Sequence, residues 1–132
     1  MRGRSFRGPN PSASWPRLTS GPARRLFGEF PGTALLASAV IGSGIAASRL
    51  SPNDAGLQLL ENAAATSAAL VAIILEVGPV SGAHLNPAVT LTDHHFGGLR
   101  NGEAAAYIAA EVSGGAFGAV VANLMFSMPA VE

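Results

Sequence analysis

The chain has 132 residues, no cysteine and a formal net charge of zero. Its length limits it to a single domain, and the absence of cysteine excludes a disulfide framework and a thiolate metal site. Hydrophobic residues make up 48% of the chain but aromatic residues only 6%, so small and aliphatic side chains dominate beside 16 glycines. This composition is typical of helices that pack closely within lipid.

A basic segment opens the sequence. Residues 1–23 are rich in arginine, proline, glycine and serine and have no apolar periodicity, which predicts a disordered tail. A secretory signal is an alternative, but the apolar run that follows is too long for one. Clustered arginines could also contact nucleic-acid phosphates. No recognition motif supports that partner, and we interpret the arginines as an orientation signal beside a membrane.

Three apolar runs are long enough to cross a bilayer, which needs about 20 residues. They cover residues 26–48, 57–78 and about 103–128, within one lipid-embedded domain at 24–132. Arg24, Arg25 and Arg100 fall on one side of these spans and Arg49 on the other. The positive-inside bias then predicts an integral protein of the plasma or inner membrane with a cytoplasmic N-terminus.

The segment at residues 79–96 does not fit a simple loop or a full span. A Gly-Pro pair is expected to end the second helix near residue 78, and Asn86 and Pro87 suit the N-cap and first position of a new helix. That helix has only about ten residues, too few to cross a bilayer. Irregular backbone is tolerated at membrane depth only where protein buries it or water lines it. The segment is therefore either a re-entrant loop beside an aqueous path or an ordinary loop outside the membrane.

The stretch SGAHLNPAVTL, residues 81–91, resembles the first asparagine-proline-alanine box of the aquaporin and glycerol-facilitator family, the major intrinsic proteins. FGEFPGTALL at residues 27–36 and AAAYIAAEVSGGAFGA at residues 104–119 resemble the first and third helices of that family. The resemblance implies an all-α integral membrane fold with three transmembrane helices and one re-entrant half-helix, half of the family's six-helix inverted repeat. It also implies a passive channel for water or small neutral solutes such as glycerol, with proton exclusion at the half-helix.

The family's pore-lining roles carry over to matching positions. Asn86 would donate a hydrogen bond to the permeating molecule, and the backbone carbonyls of Gly82, Ala83 and His84 would form a ladder of acceptors leading to it. Thr66 lies twenty residues before the box asparagine, where water-selective members have a bulky aromatic residue. This small side chain implies a wider opening, unless it only packs between helices.

Other positions that match the family are structural. Pro87 and Ala88 would hold the contact between two half-helices. Glu29 would anchor the box from the first helix; the alternative is an acid at the membrane edge near Arg25. No cofactor is implied.

The chain departs from the family because it contains one box rather than two. Either a second copy or a complementary half completes the pore, or the chain is a truncated fragment that does not conduct. A helper that associates with a homologue through Gly114, Gly115 and Gly118 is a further possibility.

Four polar positions raise other functions. Glu76 and Glu111 are intramembrane acids, which suggests proton-coupled transport unless they lie at the interface or are simply protonated. Adjacent His94 and His95 face different directions on a helix, so we expect no metal site. No arrangement typical of an active site is found, and we expect no enzymatic activity.

Overall fold

The structure, a computed structural model, describes residues 21–129. It contains four helices, α1 (Pro22–Leu50), α2 (Ala55–Ser81), α3 (Pro87–His95) and α4 (Asn101–Met125), and this part of the chain has no strand. The predicted all-α class is thus confirmed. The predicted tail lies outside the described residues up to residue 20. Pro22 and Ala23, also expected in the tail, instead begin α1, because a proline suits the first turn of a helix.

Three of the helices, α1, α2 and α4, are long and apolar enough to cross a membrane. α2 is the least covered of them, since among the described helices it packs mainly against α1 and 6% of its most apolar window is buried. Leu59, Leu60, Val71 and Leu75 are among its exposed side chains. A helix with this many large apolar side chains exposed is expected to face lipid or another protein rather than water.

α1 and α4 pack closely because glycines remove the side chains between them. A Cβ atom on Gly114 or Gly118 would overlap the backbone carbonyl of Phe30 or Ala34, respectively. The Ser38 hydroxyl also donates a hydrogen bond to the Gly118 carbonyl, 3.0 Å away. Of the three glycines in the hypothesis of association with a homologue, Gly114 and Gly118 are thus buried against α1 within the chain, while Gly115 is half-buried.

α2 continues three residues beyond the predicted end. It passes through Gly78 and Pro79 to Ser81 and ends at Gly82, which has a left-handed backbone with φ of 97°. Pro79 removes only one helical donor, and the Gly82 N–H still bonds to the Gly78 carbonyl at 3.0 Å. The Gly78-Pro79 pair therefore does not end the helix, just as Pro31 does not end α1.

Contacts at both ends of the bundle fix the direction of the helices. Arg25 Nη1 lies 3.5 Å from Glu103 Oε1 near the start of α1 and α4, and Arg49 donates to the Phe126 carbonyl at 2.8 Å near their ends. α1 and α4 therefore run parallel, and α2 runs back between the two ends. Arg100, which precedes α4, lies at the same end as Arg25.

Candidate pore-lining site

α3 begins level with the middle of α4. The Thr90 hydroxyl, in the first turn of α3, donates to Glu111 Oε1 at 2.6 Å. Glu111 follows the first residue of α4 by ten positions, which corresponds to about 15 Å along the helix axis at 1.5 Å per residue. Since the hydrocarbon core is about 30 Å thick, a spanning α4 would hold the start of α3 near mid-depth.

The loop between α2 and α3 has an unusual backbone that a buried carboxylate holds in place. Ala83 and Leu85 have positive φ angles of 51° and 54°, a conformation that is unfavourable for residues with a side chain. Fully buried Glu29 accepts hydrogen bonds from the N–H groups of His84, at 3.1 Å, and Leu85, at 2.7 Å. The Ala83 N–H donates to Ser81 Oγ at 3.2 Å.

These bonds determine which way the loop carbonyls point. In a trans peptide, the N–H and the preceding carbonyl point in opposite directions, and this part of the chain has no cis peptide. Because the His84 and Leu85 N–H groups point to Glu29, the carbonyls of Ala83 and His84 point away from it. By the same argument the Gly82 carbonyl points away from Ser81. No described residue donates to these three oxygens, which leaves three acceptors for other molecules.

The box asparagine presents a donor beside these acceptors. Asn86 is the N-cap of α3, and its Oδ1 accepts a hydrogen bond from the Ala88 N–H at 2.9 Å. Pro87 follows it as the first residue of the helix. With the carbonyl oxygen occupied, the exposed amide of Asn86 is left with its NH₂ group, which only donates. No described residue accepts from it.

Several residues of this site were not identified from the sequence. The Tyr107 hydroxyl donates to the Ser81 carbonyl at 2.8 Å, and its ring lies 5.2 Å from the ring of His84. Thr90 connects α3 to Glu111. Tyr107 and Glu111 are four residues apart and so share one face of α4. That spacing predicts that the two side chains are neighbours on α4, but it does not indicate that they contact the loop.

A cavity of about 470 Å³ opens along the exposed side of α3. Its lining is formed by His84, Ala88, Val89, Thr92, Asp93 and Phe96. The cavity therefore extends from the box to the far end of the short helix, and His84 connects it to the loop.

The remaining candidate residues lie apart from the box. Thr66 precedes Ser81 by fifteen residues, about 22 Å along α2, and its buried Oγ1 has no hydrogen-bond partner among the described residues. Glu76 is exposed on α2. His94 Nδ1 contacts the Leu99 carbonyl at 2.8 Å, and the part of the chain that the structure describes has no group of three potential metal ligands.

Three helices long and apolar enough to cross a membrane, with a short helix that starts level with the middle of α4, are typical of an integral membrane protein. The sequence model of the family described as Major intrinsic protein matches residues 17–131, and the chain belongs to this family. The resemblance drawn from the box and its flanking helices is thereby confirmed.

Three relatives illustrate the similarity. Aquaglyceroporin AqpS of Rhizobium meliloti (strain 1021) is 46% identical over 109 residues, which cover 83% of this chain and 46% of the relative. Probable aquaporin NIP7-1 of Arabidopsis thaliana is 32% identical over 119 residues, 84% of this chain and 42% of the relative. Probable aquaporin NIP5-1 of the same plant is 39% identical over 93 residues, 68% of this chain and 29% of the relative. The chain thus spans less than half the length of these relatives.

Proposed function

We propose that the chain lines half of a passive channel for water or small neutral solutes such as glycerol. The observation that carries this proposal is the pairing of three free carbonyl acceptors with the free amide donor of Asn86. A molecule that both donates and accepts hydrogen bonds can exchange its water partners for this lining. The relatives named as aquaporins and as an aquaglyceroporin support the same function.

Proton exclusion is part of the proposal. The start of a helix has unsatisfied N–H groups and an effective charge of about +0.5. At the start of α3 this partial charge opposes protons and other cations, while a neutral molecule meets only donors and acceptors. Pro87 and Ala88 would contact the start of the opposing half-helix.

A single chain leaves the lining open on one side. α3 packs against no other described helix than α4, and Asn86 is exposed. Polar groups that face lipid without partners cost several kcal/mol each, so we propose that a complementary half-channel or a second copy covers this side. Without such a partner, the chain would be a non-conducting half-channel. That is our second candidate function, and the open side of α3 favours it over conduction by one isolated chain.

Orientation and solute size follow from the ends of the bundle. Arg24, Arg25 and Arg100 lie at one end and Arg49 at the other, which supports an N-terminus in the cytoplasm. In this orientation α3 enters from the cytoplasmic face. Thr66 lies toward the opposite mouth, where a small hydroxylated side chain is compatible with a glycerol-sized opening.

Stopped-flow light scattering of proteoliposomes tests the function. One sample contains the chain alone, and another contains the chain with the separately expressed C-terminal half of the Rhizobium meliloti aquaglyceroporin. We expect faster glycerol and water equilibration in the second sample, and loss of that gain with Asn86→Val. Leu75→Val on the exposed face of α2 is the matched control and should retain the gain. If protein recovery is equal and neither sample exceeds empty liposomes, the proposal is wrong.

A further inference from the structure

A series of hydrogen-bonded polar side chains connects the middle of α4 to the cavity. Glu111 Oε1 accepts the hydrogen bond from Thr90, and Thr90 Oγ1 lies 2.9 Å from Nδ1 of His84. The other ring nitrogen, Nε2, lies 3.8 Å from Asp93 Oδ2. Glu111 and Thr90 are almost completely buried, whereas the His84 ring lines the cavity. A buried pair is thus connected to a surface that a permeating molecule can reach.

The direction of these bonds follows from the number of protons available. The backbone N–H of Asn86 also interacts with the Glu111 carboxylate, although Glu111 Oε2 forms no hydrogen bond within 3.5 Å among the described residues. The Thr90 hydroxyl donates to Glu111 Oε1, which accepts when Glu111 is ionised or has its proton on Oε2. The single hydroxyl proton of Thr90 is used in this bond, so Thr90 accepts from His84 and Nδ1 has the proton. A proton on Glu111 Oε1 would reverse both bonds, and the tautomer of His84 distinguishes the two arrangements.

We propose that Glu111, acting through Thr90, keeps a proton on Nδ1 of His84, so that only Nε2 gains and loses a proton at the cavity wall. Glu111 is a positioning residue in this scheme and does not contact the permeating molecule. The ring then has two states. Neutral His84 presents an acceptor at Nε2, and protonated His84 presents a donor there.

The charged and titratable groups around His84 come from three helices. Glu29 on α1 binds the backbone N–H of His84, Asp93 on α3 faces Nε2, and Tyr107 and Glu111 lie on α4. No arginine in the described part of the chain forms an ion pair with Glu111 or Asp93. Asp93 is therefore the carboxylate that faces Nε2, while Nδ1 faces Thr90.

The consequence for transport rests on the proposed function. With the proton held on Nδ1, Nε2 of the neutral ring accepts hydrogen bonds from hydroxylated solutes or water. Glu111 thus sets the hydrogen-bonding character of the cavity wall without being exposed itself.

Nitrogen NMR of the ¹⁵N-histidine-labelled chain in lipid bilayers tests the proposal directly, since ring shifts distinguish the two tautomers. We expect the neutral His84 of the native chain, above about pH 8, to be protonated at Nδ1. Thr90→Val removes the acceptor and should move the proton to Nε2 in most molecules. Glu111→Met should do the same by freeing the Thr90 hydroxyl to donate, whereas Glu111→Gln should retain the native pattern because its amide oxygen still accepts.

Thr92→Val is the matched control. The Thr92 hydroxyl is also on α3, but it donates to the Ala88 carbonyl at 2.8 Å and takes no part in the hydrogen bonds between His84 and Glu111. The neutral His84 ring of this variant should therefore remain protonated at Nδ1. A native ring protonated at Nε2, or a Thr90→Val spectrum identical to the native one, would overturn the proposal. These spectra do not depend on conduction, so their outcome is separate from that of the proposed function.

Discussion

Replacing Glu29 by glutamine tests what holds the loop in its unfavourable backbone. Both Glu29 oxygens accept backbone N–H bonds, at 3.1 and 2.7 Å, and the side chain is fully buried. Glutamine offers only one acceptor oxygen and places an NH₂ group against the second N–H. Loss of one bond to a charged acceptor costs about 1.5–3 kcal/mol, and the strained residues Ala83 and Leu85 lose part of their support.

The free energy of unfolding in mixed micelles measures this cost. We expect Glu29→Gln to lower the free energy of unfolding by about 2–3 kcal/mol. It should also reduce solute flux in the assembled channel, because the carbonyls of Ala83 and His84 are no longer held pointing away from residue 29. Glu61→Gln is the control, since one oxygen of Glu61 accepts a single bond from the Ser51 hydroxyl, which an amide oxygen can replace. A Glu29→Gln loss below about 0.5 kcal/mol, as for an ordinary surface change, would refute the reasoning.

The remaining predictions concern the lining, the helix packing and the mouth. Asn86→Asp retains the acceptor that caps α3 but replaces the donor with a negative charge. We therefore expect a proton leak, measured with a pH-sensitive dye in liposomes of the assembled channel. A proton leak rate equal to that of the native channel would argue against the donor role of Asn86. Gly118→Ala forces a Cβ into the backbone of α1 and should cost about 1–3 kcal/mol of unfolding free energy, whereas Gly115→Ala, whose Cβ would lie 3.8 Å from a Thr33 methyl, should cost little. Equal losses would contradict the packing described above. Thr66→Phe should slow glycerol flux more than water flux; equal slowing would remove Thr66 from the constriction.

Much of the architecture could be predicted because its signals are local in the sequence. Runs of about 20 apolar residues mark the spans, and the Asn86-Pro87 pair marks the start of a helix through its capping chemistry. Gly82 was also a foreseeable stop. Where the prediction failed, at the end of α2, the Gly78-Pro79 pair does not act as a stop, and the helix continues to Ser81, as α1 continues through Pro31.

The contacts that build the site could not be predicted because they join distant segments. The pairing of Glu29 with the loop rested on a family resemblance, and only the geometry reveals why the carbonyls face outward. Thr90 and Glu111 are 21 residues apart, and nothing local indicates that they meet. Gly114 and Gly118 suggested close packing, but the sequence could not identify the partner, which is α1 of the same chain.

The central claim is that α3 starts near the middle of the membrane and ends near its surface. Because the chain has no cysteine, a single cysteine at Ala88 or Phe96 can take a nitroxide label, whose depth is measured from its relative accessibility to oxygen and to a water-soluble nickel chelate. Eight residues of helix separate the two sites by about 12 Å. We predict that the label at position 88 lies deeper by about that distance and within a few ångströms of the bilayer centre. Two labels at equal depth near the headgroups would contradict the account.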